Sequence, residues 1–154
     1  GSSALTQHET TALRPDLKVL DFADGANDHA QFSVAFPKSW NRGTITFKPY
    51  WTVTAGTNEG TVAWALSGIA VGSTEDLDIA FGGTVVTTAL AMVADREFLM
   101  VSVESGNMTI AGTPQDEDIC FFQIARNIAT DTQTSPARLL GIKIYYTTDE
   151  TSDA

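Results

Sequence analysis

The chain has 154 residues, of which 43% are hydrophobic, and this is enough for one globular domain with its own core. Nine Lys and Arg stand against 19 Asp and Glu, which gives a formal net charge of −10. Nucleic acids and anionic bilayers both require clustered positive charge, so neither is expected as a partner.

Cysteine content and hydropathy exclude further classes. The single cysteine, Cys120, lies in the apolar run 119–122 and is predicted to be a small buried hydrophobe, not a nucleophile. No apolar run approaches the roughly 20 residues of a membrane-spanning helix, and no secretory leader pattern opens the chain. We therefore expect no membrane insertion.

The ends of the chain differ in composition from its centre. Residues 1–16 lack periodicity and are predicted to form a flexible N-terminal arm, either frayed or attached to a neighbouring molecule. Residues 17–148 are predicted to form one β-sandwich domain, and its first strand covers 17–22. Residues 149–154 form an acidic tail.

Residues 32–66 hold all three tryptophans and three runs in which apolar residues alternate. Because side chains alternate between the two faces of a strand, each run predicts a strand with one apolar face. We expect the three strands to form a meander with a shared aromatic face. Pro49 interrupts the second strand, and it predicts an edge position or a bulge because proline lacks the N–H donor.

The rest of the chain continues the β pattern. Residues 68–72 are predicted to extend the third strand through a kink. Residues 89–94 could form a helical turn instead of continuing the strand predicted at 84–90. About eight strands separated by turn signals predict an all-β, jelly-roll-like antiparallel sandwich. The further predicted strands cover 84–90, 98–104, 108–111, 119–126 and 138–147.

Aromatic residues supply the candidate binding site. Trp64 alternates in phase with Val62 and Leu66 and is predicted to lie in the core. Trp40 follows Pro37 in a loop with Asn41 and Arg42, and we expect it to be exposed. An exposed ring can stack on the apolar face of a sugar, so Trp40, Asn41 and Arg42 are the candidate ligand-binding residues.

A surplus of outward apolar residues supplies the candidate subunit interface. Tyr50 and Trp51 are adjacent and must face opposite sides, so one of them points outward or into an interface. Alternation in the last strand places Leu139 and Tyr145 on the side away from the sandwich core. Tyr50, Trp51, Leu139 and Tyr145 are therefore the predicted interface residues.

Three acidic loops raise the question of metal binding or hydrolysis. None matches the twelve-residue calcium loop, and two histidines without ligand spacing do not indicate zinc, so no metal or cofactor is expected. An all-β hydrolase using Asp76 and Asp116 is a further alternative. The oxygen-rich groups in these loops are Asp24, Asn27 and Asp28; Glu75, Asp76 and Asp78; and Asp116, Glu117 and Asp118.

Several blocks together resemble a jelly-roll domain of virion proteins from tailed bacteriophages and phage-derived gene transfer agents. The resemblance covers roughly residues 30–148. It is borne by FPKSW at 36–40 with GTITF at 43–47 and YW at 50–51, VAWAL at 62–66, LDIAFG at 77–82, IAGTP at 110–114, and RLLGIKIYYTT at 138–148.

The resemblance implies a non-enzymatic head fibre, decoration or fibre protein. Such domains commonly assemble as homotrimers on the virion surface, so the chain itself and other virion proteins, reached through the N-terminal arm, are the expected partners. The alternative is a carbohydrate-binding module that attaches to a glycan of the host surface.

Overall fold

The computed structural model describes residues 5–26, 28–53, 60–93 and 98–149. These residues form eleven β-strands, and no α-helix occurs within those ranges. The strands are β1 Leu5–His8, β2 Leu17–Phe22, β3 His29–Val34, β4 Thr46–Val53, β5 Thr61–Val62, β6 Trp64–Val71, β7 Val85–Val86, β8 Leu90–Ala91, β9 Met100–Val101, β10 Ile119–Arg126 and β11 Ala137–Tyr145.

Two antiparallel sheets face each other. The front sheet has the strand order β1-β2-β11-β4-β9 and the back sheet has the order β3-β10-β6-β7, while β5 and β8 form a small ribbon. When β1, β5 and β8 are left aside, eight strands remain, and they pair in a nested order from the outermost in sequence to the innermost. The pairs are β2 with β11, β3 with β10, β4 with β9, and β6 with β7. This nesting is the jelly-roll order, so the predicted all-β, single-domain sandwich is confirmed.

Aromatic rings fill the space between the sheets. Trp64 and Trp51 are fully buried, and the Trp64 ring meets Phe22 edge to face with 5.0 Å between centroids. Phe47 and Phe122 bring further rings from the front and back sheets. Burial of each ring removes roughly 150–250 Å² from water, and this drives the two sheets together. The core position predicted for Trp64 is confirmed.

The predicted meander of residues 32–66 is wrong. β3 and β6 both lie in the back sheet but are separated by β10, whereas β4 lies in the front sheet. Residues 35–45 connect β3 to β4, and a connection of that length can cross from one sheet to the other, whereas a tight hairpin turn cannot. Alternation identified the strands but could not identify their partners.

Strand β11 contains a bulge that reverses its alternation. Leu139 lies opposite Trp51 and Gly141 lies opposite Tyr50, so Leu140 is an extra residue without a partner in β4. The extra residue lets Leu139 face the core before the bulge and lets Ile142 and Ile144 face it afterwards. The prediction that Leu139 faces outward is wrong for this reason.

Pro49 lies inside the front sheet, between β11 and the segment that follows β9. Its carbonyl accepts a hydrogen bond from Ser102 N at 3.0 Å. The N–H and C=O of a strand residue point to the same side, so the missing donor faces this irregular segment and the β4–β11 ladder stays intact.

The alternative of a helical turn at 89–94 is not seen at Leu90–Ala91, which is strand β8.

The predicted N-terminal arm contains an edge strand. β1 pairs with β2, with Leu5 opposite Leu20 and His8 opposite Leu17. Residues 1–4 and the predicted acidic tail beyond Asp149 lie outside the described residues. Sequence periodicity could not show β1, because its side chains are mostly exposed and polar.

Candidate assembly surfaces

Trp40 does not lie in an exposed loop. Its side chain is only 3% exposed, and its ring packs on Phe36 with 4.3 Å between centroids. Phe36 also meets Tyr146 and Phe122, so these aromatic rings close one end of the sandwich. The predicted exposure of Trp40 is wrong, because local sequence did not show that Phe36 and Tyr146 would cover the ring.

Asn41 and Arg42 are exposed beside Trp40, but their side chains are engaged. Asn41 Oδ1 accepts a hydrogen bond from Gly43 N at 2.9 Å, which closes the turn. Arg42 Nη1 pairs with Asp116 Oδ1 at 2.9 Å across the surface. The three predicted ligand-binding residues are therefore adjacent, but they present no stacking ring to a sugar.

The predicted interface residues divide into two pairs. Trp51 and Leu139 are buried and face each other in the core, and Trp51 Nε1 donates to Ser102 Oγ at 3.0 Å. Tyr50 and Tyr145 are half-buried on the outer face of the front sheet. Of these four residues, Tyr50 and Tyr145 are the two that have surface left for a neighbouring molecule.

The outer face of the front sheet carries an apolar surface of which sequence reasoning identified only Tyr50. Leu99 and Val103 are 61% and 55% exposed, and Val101 lies opposite Tyr50 across the β4–β9 pair. Leu99, Val101, Val103 and Tyr50 are called the front stripe below. The alternation of residues 99, 101 and 103 was its only signal in the sequence.

Two lysines lie beside the front stripe. Lys48 of β4 is directly opposite Lys143 of β11, and the Lys143 ammonium is 4.9 Å from the centroid of the Tyr145 ring. Among the residues that the structure describes, no carboxylate forms an ion pair with either lysine. Two like charges directly opposite on one sheet face repel each other, so this surface favours an incoming anion.

The outer face of the back sheet carries a second apolar surface. The connection between β6 and β7 lies across this face with Leu77 72% exposed and Ile79 42% exposed. It borders a cleft of about 360 Å³. Leu77, Ile79, Phe81, Ile119 and Phe121 are called the back patch below.

Acidic side chains border the back patch. Glu75 Oε2 accepts a hydrogen bond from Gly72 N at 2.9 Å, and Asp118 Oδ2 accepts one from Gln115 N at 2.8 Å. Asp76 Oδ1 accepts a hydrogen bond from Asp78 N at 2.9 Å, whereas the Asp78 carboxylate forms no ion pair with another described side chain. These carboxylates cap turns separately, and no cluster of metal ligands occurs within the described ranges.

A cleft of about 760 Å³ lies on the front sheet beneath residues 8–15. Leu17, Leu99 and Leu140 form its apolar lining, and His8 and Arg14 are polar groups at its wall. His8 Nδ1 lies 3.2 Å from Arg138 Nη1, and Arg138 also pairs with Asp21 at 3.2 Å. The His8–Arg138 contact and the pairing of β1 with β2 hold residues 5–8 against the sheet.

Cys120 is buried in β10 with 1% of its surface exposed. Burial, and then the charge of Asp118, raise the pKa of the Cys120 thiol to about 11. A thiol acts as a nucleophile only when it is ionised, so this environment does not favour covalent chemistry.

No protein-family model, no curated protein and no solved structure matches this chain. Within the described residues, no helix has the length and apolarity needed to cross a bilayer.

Proposed function

We propose that this protein is a structural component of a phage-like virion, displayed on the particle surface as a homotrimer and without catalytic activity. The observation that supports this most is the jelly-roll strand order combined with apolar side chains exposed on both outer faces. Viral capsid domains are among the proteins that use this fold.

Fold alone does not determine function, so the proposed assembly is inferred from the exposed surfaces. A monomer that exposes the front stripe and the back patch leaves two apolar areas in water, and contiguous exposed patches mark interaction sites. Burying both areas between copies of the chain removes the free-energy cost of exposing apolar surface to water. The sequence resemblance to virion jelly rolls favours the same kind of assembly.

The edge strand β1 supports attachment to other virion proteins. β1 is the last strand of the front sheet, so its outer side presents backbone N–H and C=O groups. A strand from another virion protein can add to such an edge. Attachment through the N-terminal arm is therefore part of the proposal.

The acidic residues support a structural role more than a hydrolytic one. Asp76 Oδ1 holds the backbone of its own loop, and Asp116 Oδ1 pairs with Arg42. A carboxylate bound in this way is a poor general base for an incoming water. Glycan binding at Trp40 is not part of the proposal, because the Trp40 ring is buried.

Co-sedimentation tests the virion assignment. Particles are purified from a lysate of the source strain on a density gradient, and each fraction is probed with an antibody against this chain. We expect the chain in the particle fractions, in a fixed ratio to the major capsid protein. Recovery only in the soluble fractions, at the top of the gradient, would overturn the assignment.

Sedimentation velocity tests the homotrimer separately. We expect a species of about three times the 16.5 kDa of the chain at micromolar concentration. A single monomeric species over that range contradicts the trimer without bearing on co-sedimentation.

A further inference from the structure

We infer that copies of this chain associate head to tail, with the acidic segment 75–79 of one copy docked on the lysine pair and front stripe of the next. This inference rests on the homotrimer of the proposed function and identifies the two surfaces that form its contact. The occupant of the front face is thus a second copy of this chain.

The charge distribution supports this pairing. In a chain with a net charge of −10, the Lys48–Lys143 pair places two positive charges side by side on one sheet face. Glu104 on this face is engaged with the Thr46 hydroxyl, and Asp21 on the same face pairs with Arg138. An anionic partner relieves the repulsion between the lysines, and the chain's own surface is rich in such groups.

Segment 75–79 has the complementary chemistry. Asp78 is exposed, and Leu77 and Ile79 on either side of it are apolar residues that are 72% and 42% exposed. The outer face of the front sheet also places charged residues next to apolar ones, since Lys48 and Lys143 adjoin Tyr50 and Val101. Segment 75–79 thus combines negative charge with apolar side chains, and the front face combines positive charge with apolar side chains.

The positions of the two surfaces determine the type of contact. The front stripe lies on the outside of one sheet and the back patch on the outside of the other, so one copy cannot bring its own two surfaces together. A contact between two different patches is heterologous, and such contacts generate a ring when the rotation between copies closes and an open filament when it does not. The proposed homotrimer requires the closed case, a ring of three copies.

Charge reversal with restoration tests the contact. Lys143→Glu and Asp78→Lys are prepared singly and together, and Lys18→Glu is the control. Lys18→Glu makes the same change of charge on β2. Lys18 lies on the side of β2 opposite to Leu17 and Val19, and therefore not on the outer face that carries Lys48 and Lys143. Circular dichroism and thermal unfolding establish that each variant folds, and sedimentation equilibrium gives the association constant.

We expect each single reversal to weaken association by about tenfold or more, because like charges then face each other. The Lys143→Glu/Asp78→Lys double variant should return close to the wild-type constant, and Lys18→Glu should match wild type. Unchanged association in both single variants, or no recovery in the double variant, overturns this contact. A trimer that persists in that case leaves the virion assignment standing, whereas a monomeric wild type overturns the contact itself.

Discussion

Arg126 and Asp131 form an ion pair whose side chains are only 1% and 2% exposed. Arg126 Nε and Nη2 donate to the two carboxylate oxygens of Asp131 at 2.6 and 2.8 Å. The remaining guanidinium N–H groups donate to the carbonyls of Phe22, Gln133 and Ser135. The pair therefore holds the connection from β10 to β11 against the end of β2.

Removing one partner of this ion pair should be costly. Asp131→Ala leaves a buried guanidinium without its counter-charge, and we expect a loss of about 3–5 kcal/mol in the free energy of unfolding. For a chain of this size, that corresponds to a fall in Tm of roughly 6–20 °C. Thermal and urea unfolding measure both quantities.

The Arg42–Asp116 pair supplies the matched control. Its side chains are about half exposed, so Arg42→Ala should cost less than about 1 kcal/mol. Equal losses for Asp131→Ala and Arg42→Ala would show that burial of the Arg126–Asp131 pair has no energetic consequence.

Gly112 occupies a position that only glycine fits. Its φ is +87°, and a Cβ at this residue would lie 2.3 Å from the carbonyl oxygen of Ala70. We expect Gly112→Ala to destabilise the fold by about 2 kcal/mol or more, because the backbone must move and the φ is strained. Gly106, where a Cβ meets nothing within 4 Å, is the control. Gly106→Ala should be close to neutral in the same urea titration, and a similar loss in both variants contradicts this explanation.

Much of the fold could be predicted from side-chain alternation. The bounds predicted for the first strand, and the predicted segment 119–126, agree with β2 and β10. Burial alternates strictly along β10, whereas β2 has apolar residues on both of its faces between two polar, turn-rich segments. Sheet membership could not be predicted, since it depends on pairings between distant strands. The bulge at Leu140 was also invisible, because a run of apolar residues looks the same with or without an extra residue.

The candidate surfaces were less predictable than the fold. Trp40 looked exposed because its neighbours in sequence are polar, yet Phe36 and the distant Tyr146 close over it. The Lys48–Lys143 pair joins residues almost a hundred positions apart, so it becomes visible only when the β4–β11 register is known. A surface built from several strands leaves no motif in any one of them.

The buried tryptophans should differ in their response to phenylalanine. Trp51 Nε1 donates to the buried Ser102 hydroxyl, whereas the buried Trp64 Nε1 has no partner among the described residues. Trp51→Phe removes a hydrogen bond, and Trp64→Phe removes a polar group that gains nothing from burial. We expect Trp51→Phe to cost about 1–2 kcal/mol more in urea unfolding. A larger loss for Trp64→Phe would contradict this ranking.

Cys120 should make stability fall at alkaline pH. Burial and Asp118 raise its pKa from an ordinary value of 9.0 to about 11, so the folded state keeps the thiol proton that the unfolded state releases. The contribution is complete below pH 9 and is lost as pH rises toward 11, at up to about 1.4 kcal/mol per pH unit. The measurement is the difference in unfolding free energy between wild type and Cys120→Ala at pH 7 and pH 10.5, in which any pH dependence common to both proteins cancels. We expect the difference to shrink at the higher pH, because only the wild type carries the thiol. Parallel pH dependence of the two proteins would mean that the thiol ionises in the folded state as readily as in the unfolded chain.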